Sequence, residues 1–120
     1  GCEAADLCRD PAVVKQYMED PLAHDLISTR LYVEMSRAGL WALNHAAQLQ
    51  RPVLIMHGSA DRLTSADASG QFAARAGRNC TLKIWDGASH ELHHEPEKEA
   101  VLAYMLAWLK DGYGSGCDQG

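Results

Sequence analysis

Pro-Val-Leu-Ile-Met-His-Gly-Ser-Ala-Asp, residues 52–61, is the stretch whose reading decides the fold. Its apolar run from Val53 to Met56 is continuous rather than alternating, which is the pattern of a strand buried on both faces. The run stops at Gly58 and delivers a titratable residue, Asp61, just beyond it. A second segment, Thr-Leu-Lys-Ile-Trp-Asp-Gly-Ala-Ser-His at 81–90, repeats the arrangement, stopping at Gly87 and delivering His90. Between the two, residues 66–76 are alanine-rich, with Phe72 placed inward and Gly77 as a C-terminal stop. A helix therefore crosses from one strand to the next, and the fold class is α/β with parallel strands.

In a parallel sheet, ligands bind beyond the carboxyl ends of the strands and the loops there carry the chemistry. Asp61 and His90 occupy equivalent points after consecutive strands, so their loops are expected to meet. An acid followed by a histidine is the chain order of the last two members of a Ser…Asp…His triad. The carboxylate would then accept a hydrogen bond from His90 Nδ1–H, fix its tautomer and stabilise the imidazolium formed in turnover. Taken alone, each residue has a plainer role: Asp61 as a turn aspartate capping a helix that begins near Ser65 or Ala66, and His90 as an exposed loop histidine. His57 is expected to be a core-edge histidine bonded to backbone.

The remaining chain reads as helical. Asp10-Pro11 is a helix entry, and Val13, Val14, Tyr17 and Met18 follow at helical spacing, giving a short helix over 11–19 closed by Asp20-Pro21. Leu31, Met35, Ala38, Leu40, Ala42, Leu43, Ala46 and Leu49 mark a longer stretch from about Ser28 to Gln48, with an interruption expected at Gly39. On this helix Leu31, Met35, Leu40 and Trp41 are expected to pack into a core; lining an acyl channel is the alternative. Glu95-Pro96-Glu97 starts a closing helix with Val101, Leu102, Met105, Leu106 and Leu109 on one face and an expected end before Gly112. The small, polar tail reads as flexible. The chain thus divides into residues 1–30, 31–110 and a tail at 111–120.

Sixteen acidic and eleven basic residues give a formal charge of −5, and the basic residues are scattered singly, which speaks against a nucleic-acid partner. No apolar stretch approaches the roughly 18 residues of a membrane span, so no transmembrane segment is expected. The location expected is cytoplasmic or peripheral to a membrane. Cysteines 2, 8, 80 and 117 lack paired C-x-x-C spacing and are read as free thiols, the alternative being that Cys2, Cys8 and Cys117 pair in an exported protein.

His57-Gly58-Ser59-Ala60-Asp61-Arg62-Leu63, followed by the run from Thr81 through His90 to Glu95, resembles the C-terminal part of monoacylglycerol lipases and related lysophospholipases of the α/β-hydrolase superfamily. Asp10-Pro11, Val14, Tyr17 and Asp20-Pro21-Leu22 are similar to the end of that family's helical cap, and the similarity covers nearly all of residues 9–110. By motif position it implies that Asp61 is the triad acid and His90 the general base. It implies acyl-ester substrates, monoacylglycerols or lysophospholipids among them, and no cofactor. It also implies the C-terminal lobe of an α/β-hydrolase, with a cap remnant at 1–30, core at 31–110 and an incomplete sheet.

The chain departs from the family in one respect that governs its chemistry: no Gly-x-Ser-x-Gly occurs in its 120 residues. Ser115, in Tyr113-Gly114-Ser115-Gly116-Cys117, follows the histidine instead of preceding it and lacks the flanking glycine spacing. The family's oxyanion-hole segment and earlier strands are also absent. Two functions from different classes follow. One is a portion of a serine ester hydrolase, inactive unless a complementing N-terminal half supplies the nucleophile. The other is a non-catalytic interaction module that pairs, or self-associates, through an exposed sheet edge.

His90-Glu91-Leu92-His93-His94 also matches H-E-x-x-H, which on a helix would bind zinc. Gly87 before the motif and Glu95-Pro96 directly after it deny the motif a helix interior, so no metal is expected.

Overall fold

The computed structural model describes residues 3–114. Strand β1 spans Val53–Gly58 and strand β2 spans Cys80–Trp85; they pair in parallel with Val53 opposite Cys80 and Gly58 opposite Trp85. Helix α3, Ala66–Ala76, connects them, capped at its start by the Ser65 hydroxyl, which accepts the Ala68 N–H. It ends at Gly77, whose φ of 64° is a left-handed backbone conformation open to glycine at little steric cost. The βαβ unit read from the sequence is therefore present, with β1 extended by two residues so that His57 and Gly58 belong to the strand.

The expectation that β1 is buried on both faces does not hold. Val53 to His57 are all half-buried, and only Gly58 is buried. The sheet has two strands among the described residues, and too little surface lies against it to cover both faces.

Helix α1, Pro11–Glu19, begins as expected, with the Asp10 carboxylate accepting the Ala12 N–H and Pro11 in its first turn. Helix α2, Thr29–His45, is capped by Ser28 and runs unbroken through Gly39, where the sequence led us to expect an interruption. A lone glycine in a helix costs only about 1 kcal/mol relative to alanine, which the flanking turns absorb. The last residues of the stretch, Ala46–Gln48, tighten into a 3-10 turn. The end of α2 and the turn that follows it are held to the βαβ unit, by Arg75 donating to the Leu43 carbonyl and Asn79 donating to the Leu49 carbonyl.

The expected packing of α2 is the largest departure. Leu31, Met35, Leu40 and Trp41 are 47%, 58%, 63% and 63% exposed. No residue of α1 or α2 is buried. The radius of gyration of 16.5 Å exceeds the roughly 14 Å of a compact chain of this length, in keeping with helices that stand away from the core.

Helix α4 spans Lys98–Gly114, so it starts after Glu95-Pro96-Glu97 and continues past the expected stop before Gly112. The expected flexibility of the tail beyond it falls outside the described residues. The core gathers where α4 meets the segment after β2: Val101, Leu92 and Ala88 are buried together, with Met56 and Trp85 packed against them. The Tyr104 ring meets Trp85 edge to face at 6.1 Å, and the Trp108 indole N–H donates to the Thr81 hydroxyl at 3.2 Å. Cys8 and Cys80 are free thiols, and burial pushes both above the ordinary thiol range.

Candidate active site

Both strands end at the same edge, and the loops beyond them are sewn together. The Ser59 N–H donates to the Trp85 carbonyl at 2.9 Å and the Ala60 N–H to the Ala88 carbonyl at 3.0 Å. The Ser59 hydroxyl donates to Asp86 at 3.1 Å and accepts the Gly87 N–H at 2.8 Å. This contact depends on Gly58: a Cβ there would lie 2.2 Å from the Ala88 carbonyl oxygen. Glycine therefore does more than end the apolar run; its bare backbone lets the two loops close on each other.

The closure brings together the two residues singled out by sequence. His90 Nδ1 lies 2.9 Å from Asp61 Oδ2. Asp61 is 3% exposed at its side chain, whereas His90 is 36% exposed. Because a carboxylate only accepts, the hydrogen on this contact belongs to His90 Nδ1, which leaves Nε2 with a lone pair in the neutral ring. No hydroxyl bonds Nε2 among the described residues.

Asp61 is held from both oxygens. Oδ1 accepts the Leu63 N–H at 2.8 Å and the Thr64 N–H at 3.0 Å, and Oδ2 accepts the Thr64 hydroxyl at 2.7 Å. Its turn-capping role and its pairing with histidine are thus one arrangement, while Ser65 caps α3. Burial by itself would raise the Asp61 carboxyl, but the hydrogen bonds from Thr64, His90 and Leu63 outweigh it and hold the group well below the usual carboxylate range.

His57 was expected to bond backbone, and its Nε2 does approach the Thr64 carbonyl at 3.3 Å. The same nitrogen lies 3.1 Å from Asp61 Oδ2, and Nδ1 meets the Ser69 hydroxyl at 2.7 Å. Asp61 therefore has a histidine on each side, one nearly buried and one exposed. The sequence carried a usable signal for this: a strand-end histidine four residues before an aspartate, with glycine and a turn between. An open groove of about 550 Å³ runs from His57 and Thr64 along Ile55 and Phe72 to Leu40 and Leu43 of α2.

The H-E-x-x-H stretch does not form a helix. Leu92–His94 is a single 3-10 turn, and His90 turns to Asp61 rather than towards His94. Glu91 instead pairs with His94 Nδ1 at 2.7 Å. Glu91, His93 and His94 bring one ligand atom each within 4.8 Å of one another, a grouping different from the one the motif suggests.

The family model described as serine aminopeptidase, S33, matches residues 2–97. Among curated relatives, the monoacylglycerol lipase of Mycolicibacterium smegmatis is 34% identical over 112 residues, spanning 89% of this chain and 39% of that protein. An uncharacterised abhydrolase domain-containing protein of Dictyostelium discoideum is 35% identical over 107 residues, 88% of this chain but 11% of that protein. The crystal structure of the Paleococcus ferrophilus monoacylglycerol lipase superposes with a TM-score of 0.78 at 31% identity, covering 91% of this chain and 43% of that one. The chain therefore spans about two fifths or less of the length of these relatives. By the family match and the shared fold, it belongs to the serine aminopeptidase S33 family and corresponds to a portion of a monoacylglycerol-lipase-like α/β-hydrolase.

Proposed function

We propose that this chain carries the acid and base of a serine carboxylic-ester hydrolase, with Asp61 and His90 as two members of a catalytic triad. The observation that carries the reading is the 2.9 Å contact between His90 Nδ1 and a buried Asp61 oxygen, with the opposite edge of the ring exposed. A serine hydroxyl brought to His90 Nε2 would lose its proton to that nitrogen as its oxygen attacks the acyl carbon. Asp61 stabilises the imidazolium so formed, and His90 then returns the proton to the departing alcohol oxygen, leaving an acyl-enzyme. Water then attacks the acyl carbon as His90 takes its proton; the acyl–serine bond breaks, His90 gives the proton to the serine oxygen, and the carboxylic acid leaves. Relatives named as monoacylglycerol lipases support fatty-acyl esters as the substrate class.

The nucleophile comes from outside these 120 residues, either from a longer chain of which this is a portion or from a second polypeptide. Without it, losing one triad member is about as damaging as losing all three. The test is ester hydrolysis and fluorophosphonate labelling of this chain alone and after refolding with the nucleophile-bearing portion of the Mycolicibacterium smegmatis relative. No adduct is expected on the chain alone. In the reconstituted pair, turnover should fall about 10⁴-fold on His90→Ala or Asp61→Asn. A reconstituted activity indifferent to both substitutions would sink the reading.

A second reading has its own support in the exposed apolar residues of α2 and the two-stranded sheet, which suit an interaction module that pairs or self-associates. Sedimentation separates the two: a monomer at all concentrations would remove the self-association version.

A further inference from the structure

Glu95 is 1% exposed and is the largest fully buried side chain among the described residues, yet the proton transfers assigned above make no use of it. Burying a carboxylate is costly unless every lone pair finds a donor. Here Oε1 accepts the Ser89 N–H at 2.8 Å and the Arg9 backbone N–H at 3.3 Å, while Oε2 accepts the Arg9 side-chain Nε–H at 2.7 Å. The far end of the guanidinium reaches Glu97 at the surface.

The partners of Glu95 explain what it is for. Ser89 is the residue immediately before His90, and its amide is buried against the carboxylate. On the other side of His90, the Glu91 N–H donates to the Leu7 carbonyl at 2.7 Å. A third strut joins the same two segments, from the Cys8 thiol to the His94 carbonyl at 3.0 Å. Residues 7–9 and 89–95 lie eighty or more positions apart in sequence, and His90 stands in irregular backbone that no helix or strand holds. Among the described residues its side chain has one polar partner, Asp61, and reaching it requires that the backbone on both sides be fixed.

We propose that Glu95, with Arg9 balancing its charge, is a positioning residue for His90: it grips the Ser89 amide and so sets the imidazole at hydrogen-bond distance from Asp61. The inference rests on the reading of His90 as the base, and deepens it. An apolar side chain could fill the same volume at no loss of packing, but only a carboxylate offers one oxygen to the loop amide and the other to a guanidinium.

The test uses this chain and two spectroscopic readouts, the imidazole tautomer of His90 in long-range proton–nitrogen spectra at pH above 8 and the exchange rate of the Ser89 amide. In the unaltered protein His90 should stand in the Nδ1–H tautomer. Glu95→Leu should convert it to a mixture with the Nε2–H form and speed Ser89 exchange by about tenfold or more, with the helical circular dichroism retained. Arg9→Lys keeps the charge but removes the Nε–H fork; its partly exposed side chain makes it the variant to rely on if Glu95→Leu does not fold. It should move both readouts the same way by less. A folded variant with both readouts unchanged overturns the positioning role while leaving the Asp61–His90 pair standing. An unaltered protein without the Nδ1–H tautomer overturns the pair and this inference with it.

Discussion

The loop end of the sheet and the helical region from α1 to α2 are built from equally good local signals, but only the first is consolidated. Asp10 and Ser28 cap their helices as well as Ser65 caps α3. The loops at 57–65 and 85–95 go on to bond each other and the N-terminal segment, and bury Ala88, Ser89, Leu92 and Glu95. Neither helix has a buried residue: Met18 of α1 and Leu40 of α2 are 73% and 63% exposed, and Leu22 and Leu26 in the connection between them are 87% and 74% exposed. The loops find donors and acceptors in each other and in the N-terminal segment, so the fold completes them. An amphipathic helix has a stable apolar face only where another surface meets it.

Breaking the loop contact is the severest challenge to this contrast. Gly58→Ala places a Cβ against backbone at Ala88 and Ser89 rather than against a side chain that can swing away. It should cost several kcal/mol, about 3 or more, in urea unfolding, and should separate Asp61 from His90. A variant as stable as the parent would mean that the loops do not meet in solution as described.

Val101→Ala comes next, since this side chain is 2% exposed and holds α4 against the segment carrying His90. About 2 kcal/mol is expected from the lost burial and the cavity left behind, read by the same unfolding curves.

Acid separates the two regions more gently. The folded-state carboxyl of Asp61 is depressed, so its contribution is complete above the unfolded value of about 3.9 and is lost as pH falls below that towards the folded value. Stability measured downward from pH 5 should therefore fall less steeply in Asp61→Asn than in the parent. Equal slopes would show that the hydrogen bonds to Asp61 do not outlast its surroundings.

The smallest effect is expected on α2. Leu40→Gln and Trp41→Gln alter residues that are each 63% exposed, so thermal stability should stay within about 0.5 kcal/mol of the parent. A loss comparable to that of Val101→Ala would show that this face is covered, by a second copy or by another part of a longer chain.

Much of the candidate site was legible because it depends on near neighbours. Two strands, their glycine stops and the residues just beyond them could be read from stretches of ten residues, and with them Asp61 and His90. His57 was legible as a residue, but the signal that places it beside Asp61, four residues on, was outweighed by the commoner reading of a strand-end histidine satisfied on backbone. Arg9 and Glu95 were not legible at all: a charged pair near two helix starts looks like a solvated surface until the fold buries one member. The apolar stripe of α2 was misread as core for the opposite reason, since periodicity reports which residues share a face and not whether anything covers it.

The sequence by itself determined where strands and helices form, since caps, prolines, glycines and apolar periodicity act within a few residues. It also determined that Asp61 and His90 follow consecutive strands in that order. The tertiary structure alone decided that Gly58 must be bare, that a second histidine flanks Asp61, and that Glu95 is buried beside the residue preceding His90. The physical reason is range. Capping and turn geometry are settled by neighbours in sequence, whereas close approach, burial and charge compensation are settled by whichever segments the fold brings together, here residues more than eighty positions apart.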